Sequence, residues 1–303
     1  MRMDLAFDRT SPALSGQLVP VAPGIRRIIA HNPGPFTFTG TCTYVVGEGD
    51  VSVIDPGPAD EAHIAALLHA LKGETIGRIL ITHTHRDHSP GARLLKARCD
   101  APIIGCAPHH AARALLDDET NRLDASADHE HAPDRVLQHG ESVEAQDHVL
   151  KALFTPGHTA NHLAFSLEGR DMLFSGDHVM AWSTSIVAPP DGAMGLYMAS
   201  LEALLTRNDH AFWPGHGGPV VEPRRFTRGL LTHRRQRETQ IIERLALGPH
   251  SIPALVEANY PGLDARLKGA AALSVYAHLE DLHQQGRVTS DGPPRLEATY
   301  ALV

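Results

Sequence analysis

Thr82-His83-Thr84-His85-Arg86-Asp87-His88-Ser89-Pro90-Gly91 is the stretch whose reading decides the fold. Four side chains able to hold a metal fall within six residues. They directly follow Ile76-Gly77-Arg78-Ile79-Leu80-Ile81, an apolar run with the character of a buried strand. Alternate side chains of an extended segment share a face, so His83 and His85 can reach the same ion. Ser89 as N-cap and Pro90 as first helical residue predict a helix beginning just after His88. Asp87 and His88 then sit on the turn between strand and helix and face a second point beside the first. A lone H-x-H is usually a polar loop, whereas H-x-H-x-D-H at the end of a strand predicts a metal site.

Composition agrees with that reading. The 303 residues can bury a full core and hold one large domain plus a small one. With 42% apolar and 20% charged residues the chain reads as an ordinary globular protein, but its 21 histidines are an excess that favours metal chemistry. A net charge of −8 argues against a general nucleic-acid binder without excluding a local basic patch. Cys42, Cys99 and Cys106 are odd in number and lack C-x-x-C spacing, which fits reduced thiols. Neither a signal-type apolar stretch near Met1–Asp8 nor a membrane span is visible, so the expectation is a cytoplasmic protein without membrane partners.

Outward from the first loop, residues 1 to about 24 read as Pro-rich and irregular with one short edge strand. Ile25–Ala30 reads as a strand, Thr41–Val46 and Val51–Asp55 as a hairpin, and Asp60 as the cap of a helix bearing Ile64, Leu67, Leu68 and Leu71. Residues 117–134 read as an acidic loop whose His129 and His131, with no apolar strand before them, are solvated surface. Strands over Ser142–Glu144, His148–Phe154, His162–Leu167, Met172–Ser175 and His210–Trp213 follow, with a helix from about Tyr197 to Arg207. Three of these strands stop at a small-residue turn and present His158, Asp177 and His216. With the first loop they make seven candidates at strand ends, where loop-borne sites form.

The series His83-x-His85-x-Asp87-His88, Pro156-Gly157-His158-Thr159, Ser175-Gly176-Asp177 and Pro214-Gly215-His216-Gly217 resembles the metallo-β-lactamase superfamily over roughly residues 20–222. The resemblance implies an α+β fold, an αββα sandwich with the site along one edge of two sheets. It implies that His83, His85 and His158 hold one ion and Asp87, His88 and His216 the other. Asp177 would bridge both, and Asp87 and Asp177 would be the carboxylates that serve catalysis. Asp55, before Pro56-Gly57, falls at the family's supporting acidic position and would orient the ligand loop rather than touch metal. His178 either supports the set from behind or points away. An Asp at 177, where the best-known dinuclear β-lactamases carry Cys, is similar instead to hydroxyacylglutathione hydrolase, lactonases and the nuclease branch. β-Lactam hydrolysis is therefore disfavoured. His85 stands where flavodiiron proteins usually have Glu, which disfavours an oxygen-reducing role.

Two divalent ions about 3.5–4 Å apart bring a shared water to near-neutral pKa and stabilise a developing oxyanion. The expected activity is a dinuclear metal-dependent hydrolase using a metal-bridging hydroxide on a small ester, thioester or lactone. The all-N/O set suits Zn²⁺, and Fe or Mn would also be held. The loop 179–197 is expected to wall the site, with Trp182, Ser183, Thr184 and Tyr197 as candidate substrate contacts.

Residues 1–222 read as the catalytic domain and 223–303 as a small C-terminal winged-helix-like domain. Its first helix carries Arg224, Arg225, Arg228, Arg234, Arg235, Arg237 and Arg244, and shorter helices and a hairpin follow. Head and tail together, with Tyr197-Met198-Ala199-Ser200-Leu201, resemble the lactamase-β-like endoribonuclease of mitochondria and its bacterial relatives. That makes single-stranded RNA the alternative substrate, set against a reading in which the arginines are a solvated helix face. Winged helices also serve dimerisation, so a homodimer is a further expectation, and a winged-helix binding protein with a vestigial metal site is the weakest alternative.

Overall fold

The computed structural model describes residues 5–10, 14–117 and 119–303. The parts of the irregular amino-terminal stretch at 1–4 and 11–13 lie outside the described residues. The first sheet runs in chain order through β1 (Val19–Ala22), β2 (Ile25–Ile29), β3 (Cys42–Val46), β4 (Asp50–Ile54), β5 (Thr75–Ile81), β6 (Ile103–Gly105) and β7 (Arg135–Val136). It is antiparallel from β1 to β4 and parallel from β4 to β7, with α1 (Glu61–Ala70) crossing from β4 to β5 and α2 (Gly91–Cys99) from β5 to β6. The second sheet holds β8 (Ser142–Glu144), β9 (Val149–Phe154), β10 (Leu163–Leu167), β11 (Met172–Gly176), β12 (Ala211–Pro214) and β13 (Val220–Val221), ordered β13-β12-β11-β10-β9-β8. α3 (Met194–Leu204) connects β11 to β12, which lie parallel.

Burial explains why several strands read as unbroken apolar runs rather than as alternation. Leu163, Phe165, Phe174 and Trp213 point into the core shared with Ile28, Tyr44 and Ile54 of the first sheet. Between them, Ala164, Leu173 and Phe212 point outward beneath Tyr197 and Leu201 of α3. Strands covered on both faces need apolar residues at every position. The expected αββα sandwich is present.

The tail consists of α4 (Pro223–Leu245), β14 (His250–Ser251), α5 (Ile252–Asn259), α6 (Lys268–Gln284), β15 (Val288–Ser290) and β16 (Thr299–Leu302), with the three strands ordered β14-β16-β15. α4 is shared between two cores. Leu230 and Leu231 pack with α3 and the outer face of the second sheet, while Ile241 and Leu245 pack with Leu255, Tyr276, Leu279 and Tyr300. Among the described residues no helix is long and apolar enough to cross a membrane.

Three local expectations need correction. Ser89 does not cap α2; its hydroxyl donates to Asp128 Oδ2 at 2.6 Å, and the helix starts at Gly91 after Pro90. α3 begins at Met194, three residues before the expected start. His131 is buried, not solvated, because the 117–134 loop folds back against β6 and its ring meets the Cys106 carbonyl at 3.3 Å.

Candidate metal centre

Strand direction gathers the candidates. β4 and β5 are parallel and deliver Asp55 and the His83–His88 loop to one edge. β9 and β11 both run antiparallel to β10, and β12 is parallel to β11, so Thr155–His158, Asp177 and His216 leave the second sheet at one edge as well. The two edges meet: the Leu163 amide donates to the Thr82 carbonyl at 2.7 Å, and the Cys42 amide to the Gly215 carbonyl at 2.7 Å. Gly215 has to be glycine, since a Cβ there would lie 2.5 Å from both Asp177 Oδ1 and His88 Cε1.

All seven candidates converge. One ligand atom from each of His83, His85, His158 and Asp177 lies within 4.8 Å of the others, and the same holds for Asp87, His88 and His216. Asp177 faces both groups, with Oδ1 at 3.5 Å from His88 Nε2 and Oδ2 at 3.7 Å from His158 Nε2 and 3.3 Å from His216 Nε2. Asp87 Oδ2 lies 3.1 Å from His216 Nε2 and 3.4 Å from His88 Nε2.

The hydrogen bonds around this cluster fix which nitrogen faces inward. His88 Nδ1 donates to Asp55 Oδ2 at 3.0 Å, His158 Nδ1 to the Ile186 carbonyl at 2.6 Å, and His216 Nδ1 to the Gly40 carbonyl at 3.2 Å. The Thr82 hydroxyl donates to Asp55 Oδ2 at 2.6 Å and so accepts from His83 Nδ1 at 2.9 Å. With Nδ1 protonated in four rings, their Nε2 lone pairs point into the cluster. Lone pairs then crowd each other: His83 Nε2 is 3.1 Å and His158 Nε2 2.9 Å from His85 Nδ1, and His88 Nε2 is 3.2 Å from His216 Nε2. Asp177 Oδ1 is buried without a hydrogen-bond partner among the described residues. Converging lone pairs and an orphaned carboxylate oxygen are what a divalent cation would satisfy, so these residues fit a metal pair.

Electrostatics divide the cluster into two halves. Burial keeps His83, His85 and His158 below the ordinary imidazole range, and for His85, at about 3, His158 adds to the effect. Burial also opposes charge on His216, but Asp177 and Asp87 outweigh it and push the ring up to about 10, with His88 raised by the same carboxylates. Burial opposes ionisation of Asp87 and Asp177 too, yet His88 and His216 hold both carboxyls well below their usual range. The two carboxylates thus favour positive charge in the His88–His216 half, which a divalent cation would supply.

Asp55 sits beneath the cluster. Its oxygens accept from the Thr82 amide, the Thr82 hydroxyl and His88 Nδ1. His178 points away; its ring nitrogens have no partners among the described residues, its ring packs 4.6 Å from Tyr197, and burial holds it at about 3. Trp182, Ser183 and Thr184 line a cavity of about 580 Å³ together with His85, Asp87, His158, Asp177 and His216. Tyr197 does not; it is fully buried under the loop and donates to the His178 carbonyl at 3.0 Å, so its place among the substrate contacts is corrected to a structural one.

His162 is a supporting residue that motif reading passed over. Its Nε2 accepts from the Asp177 amide at 3.1 Å, its Nδ1 meets the Thr155 hydroxyl at 2.8 Å, and its ring lies 5.0 Å from that of His83. The signal available was its place at the start of the strand paired to β11, level with the Asp177 turn. A second arrangement imitates a catalytic triad: Ser52 Oγ is 2.8 Å from His148 Nε2, and His148 Nδ1 is 2.6 Å from Asp147 Oδ1. Ser52 is fully buried, so no acyl group can reach it.

With the cage and its supporting hydrogen bonds in place, comparison with known proteins becomes informative. The sequence matches the Metallo-beta-lactamase superfamily over residues 36–216. The chain belongs to the metallo-β-lactamase superfamily. Residues 251–294 match the Beta-lactamase associated winged helix domain, as the tail's helices and hairpin implied. The chain is 30% identical to a beta-lactamase-like protein 2 homolog of Drosophila melanogaster, spanning 86% of this chain and 88% of that one. It is likewise 30% identical to an atrochrysone carboxyl ACP thioesterase of Passalora fulva, over 75% of this chain and 63% of that protein. A beta-lactamase domain protein from Burkholderia ambifaria shares the fold with a TM-score of 0.78 at 22% identity, over 97% and 96% of the two chains.

Proposed function

We propose that this superfamily member is a dinuclear metal-dependent hydrolase of small acyl compounds, with thioesters and esters ahead of lactones. The observation that carries the reading is the cage of His83, His85, Asp87, His88, His158, Asp177 and His216 at the floor of a cavity of about 580 Å³. Phe36, Met180, Trp182, Ile186, Leu263 and Leu267 give that cavity apolar walls, which suit an acyl chain. The thioesterase named among the relatives supports the same substrate class.

Two divalent ions, for which the nitrogen and oxygen donors favour Zn²⁺, would supply an acidified water and polarise the acyl carbonyl. The chain's own residues set this up. Asp55, Thr82, Ile186 and Gly40 hold four imidazoles with lone pairs inward, and Asp177 spans both halves of the cage. Trp182, stacked on Phe38 at 5.0 Å, roofs the site against water. Single-stranded RNA receives less support, because Arg225 and Arg235 pair with Glu222 and Glu202, and Arg234 is buried rather than on a solvated face.

The test is a panel of an S-acyl-N-acetylcysteamine thioester, a lactone, nitrocefin and an unstructured RNA, using protein before and after chelation. We expect the thioester to give the highest kcat/KM, turnover to vanish on chelation, and Zn²⁺ to restore it more fully than Fe or Mn. Metal-dependent RNA cleavage without acyl turnover would overturn the reading.

A further inference from the structure

The metal ligands occupy one end of the cavity; part of the opposite wall belongs to the tail, through Arg234, Tyr260, Leu263, Leu267 and Ser274. Arg234 is only 3% exposed. Its guanidinium donates to the Ser185 carbonyl and, at 3.1 Å, to the Ser274 hydroxyl; it lies 5.2 Å from the Tyr197 ring centre, and Nε has no partner among the described residues. Among the described residues no carboxylate pairs with it, in contrast to Arg225 and Arg235 on the same helix. Arg237, one turn on, is also without a carboxylate among the described residues, lying 4.3 Å over the Tyr260 ring and donating to the Asn259 carbonyl. His233 and His278 stay neutral beside them, held to about 4 and about 3 by burial first and then by Arg234.

Burying a guanidinium without a counter-ion is costly, and the carbonyl, hydroxyl and ring here offset only part of that cost. A neutral donor such as Gln could tie the same two acceptors more cheaply. The charge has a use only if an anion arrives, and the cavity that Arg234 and Ser274 line is open to one. We propose that Arg234, with Ser274, forms a carboxylate-binding site that selects acyl substrates bearing an acidic group remote from the bond to be cleaved. The substrate part of this inference rests on the acyl-hydrolase reading above.

The test measures binding as well as turnover. Isothermal titration of the metal-loaded protein compares α,ω-dicarboxylates from succinate to suberate with monocarboxylates of equal length. We expect one chain length at which the dianion binds at least tenfold more tightly than the monoanion. At matched metal loading, Arg234→Met should remove that advantage by weakening the dicarboxylate at least tenfold more than the monocarboxylate, and Arg234→Lys should keep part of it. The wild-type series stands even if Arg234→Met fails to fold. The carboxylate site is overturned if no length shows the advantage. It is equally overturned if Arg234→Met weakens mono- and dicarboxylates alike, which would reduce Arg234 to a fastener of the Ser185 loop. Thioester turnover without the dianion advantage sinks this site alone, and the advantage without any acyl turnover sinks the hydrolase reading alone.

Discussion

His83-x-His85 and His129-x-His131 have the same spacing, yet only the first pair aims its rings at a common point. The first pair leaves the buried end of β5, and His83 is tied through Thr82 to Asp55 so that Nε2 faces the cage. His85 joins it there, its Nδ1 3.1 Å from His83 Nε2. The second pair lies in a loop with no strand before it. His129 turns out to Asp124 at 3.0 Å with its side chain 55% exposed, while His131 turns in to the Cys106 carbonyl. Spacing brings two imidazoles near each other; an acceptor behind the ring decides where the lone pair goes. The same lesson covers Ser52–His148–Asp147, where the distances of a triad exist without access.

That contrast can be broken most decisively at the shared carboxylate. Asp177→Ala should lose at least one equivalent of metal and reduce turnover by a factor on the order of 10³. Metal analysis and kcat/KM check this, and unchanged values in both would remove Asp177 from the centre. A smaller effect is expected behind the rings. Asp55→Ala should weaken metal affinity by roughly 10- to 100-fold, because His88 loses the acceptor that holds its tautomer and the Thr82 hydroxyl that accepts from His83 loses its anchor. Competition with a chromogenic chelator reads that loss, and wild-type affinity would show that the acceptor does not matter. The smallest effect belongs to the other loop: His129→Ala should leave metal content and turnover as they are, with stability within ~0.5 kcal/mol by chemical denaturation. Any loss of metal there would erase the distinction between the two loops.

Much of the fold was legible because apolar runs stop at Pro156-Gly157, Gly176-Asp177 and Pro214-Gly215, and each of these three ends carries a candidate ligand. The superfamily motifs singled out seven side chains that the fold brings to one edge, without any knowledge of strand order. What escaped reading depends on partners distant in sequence. Ser89 has the right identity for a helix cap, but Asp128 competes for its hydroxyl. Tyr197 sits on the expected helix, yet its ring faces the second sheet because α3 must cover Leu173 and Phe212. Arg234 looks like one arginine among seven on a solvated helix, and only the packing of α4 across the Ser185 loop reveals its burial.

The sharing of α4 between two apolar clusters has a consequence for how this molecule is put together. Severing the polypeptide after residue 222 would strip Leu230 and Leu231 from the sandwich and leave the floor of Tyr197 bare, together with the loop that steers His158. The appended segment is thus a structural member of the molecule rather than cargo, bracing the loop that walls the edge where the seven side chains converge.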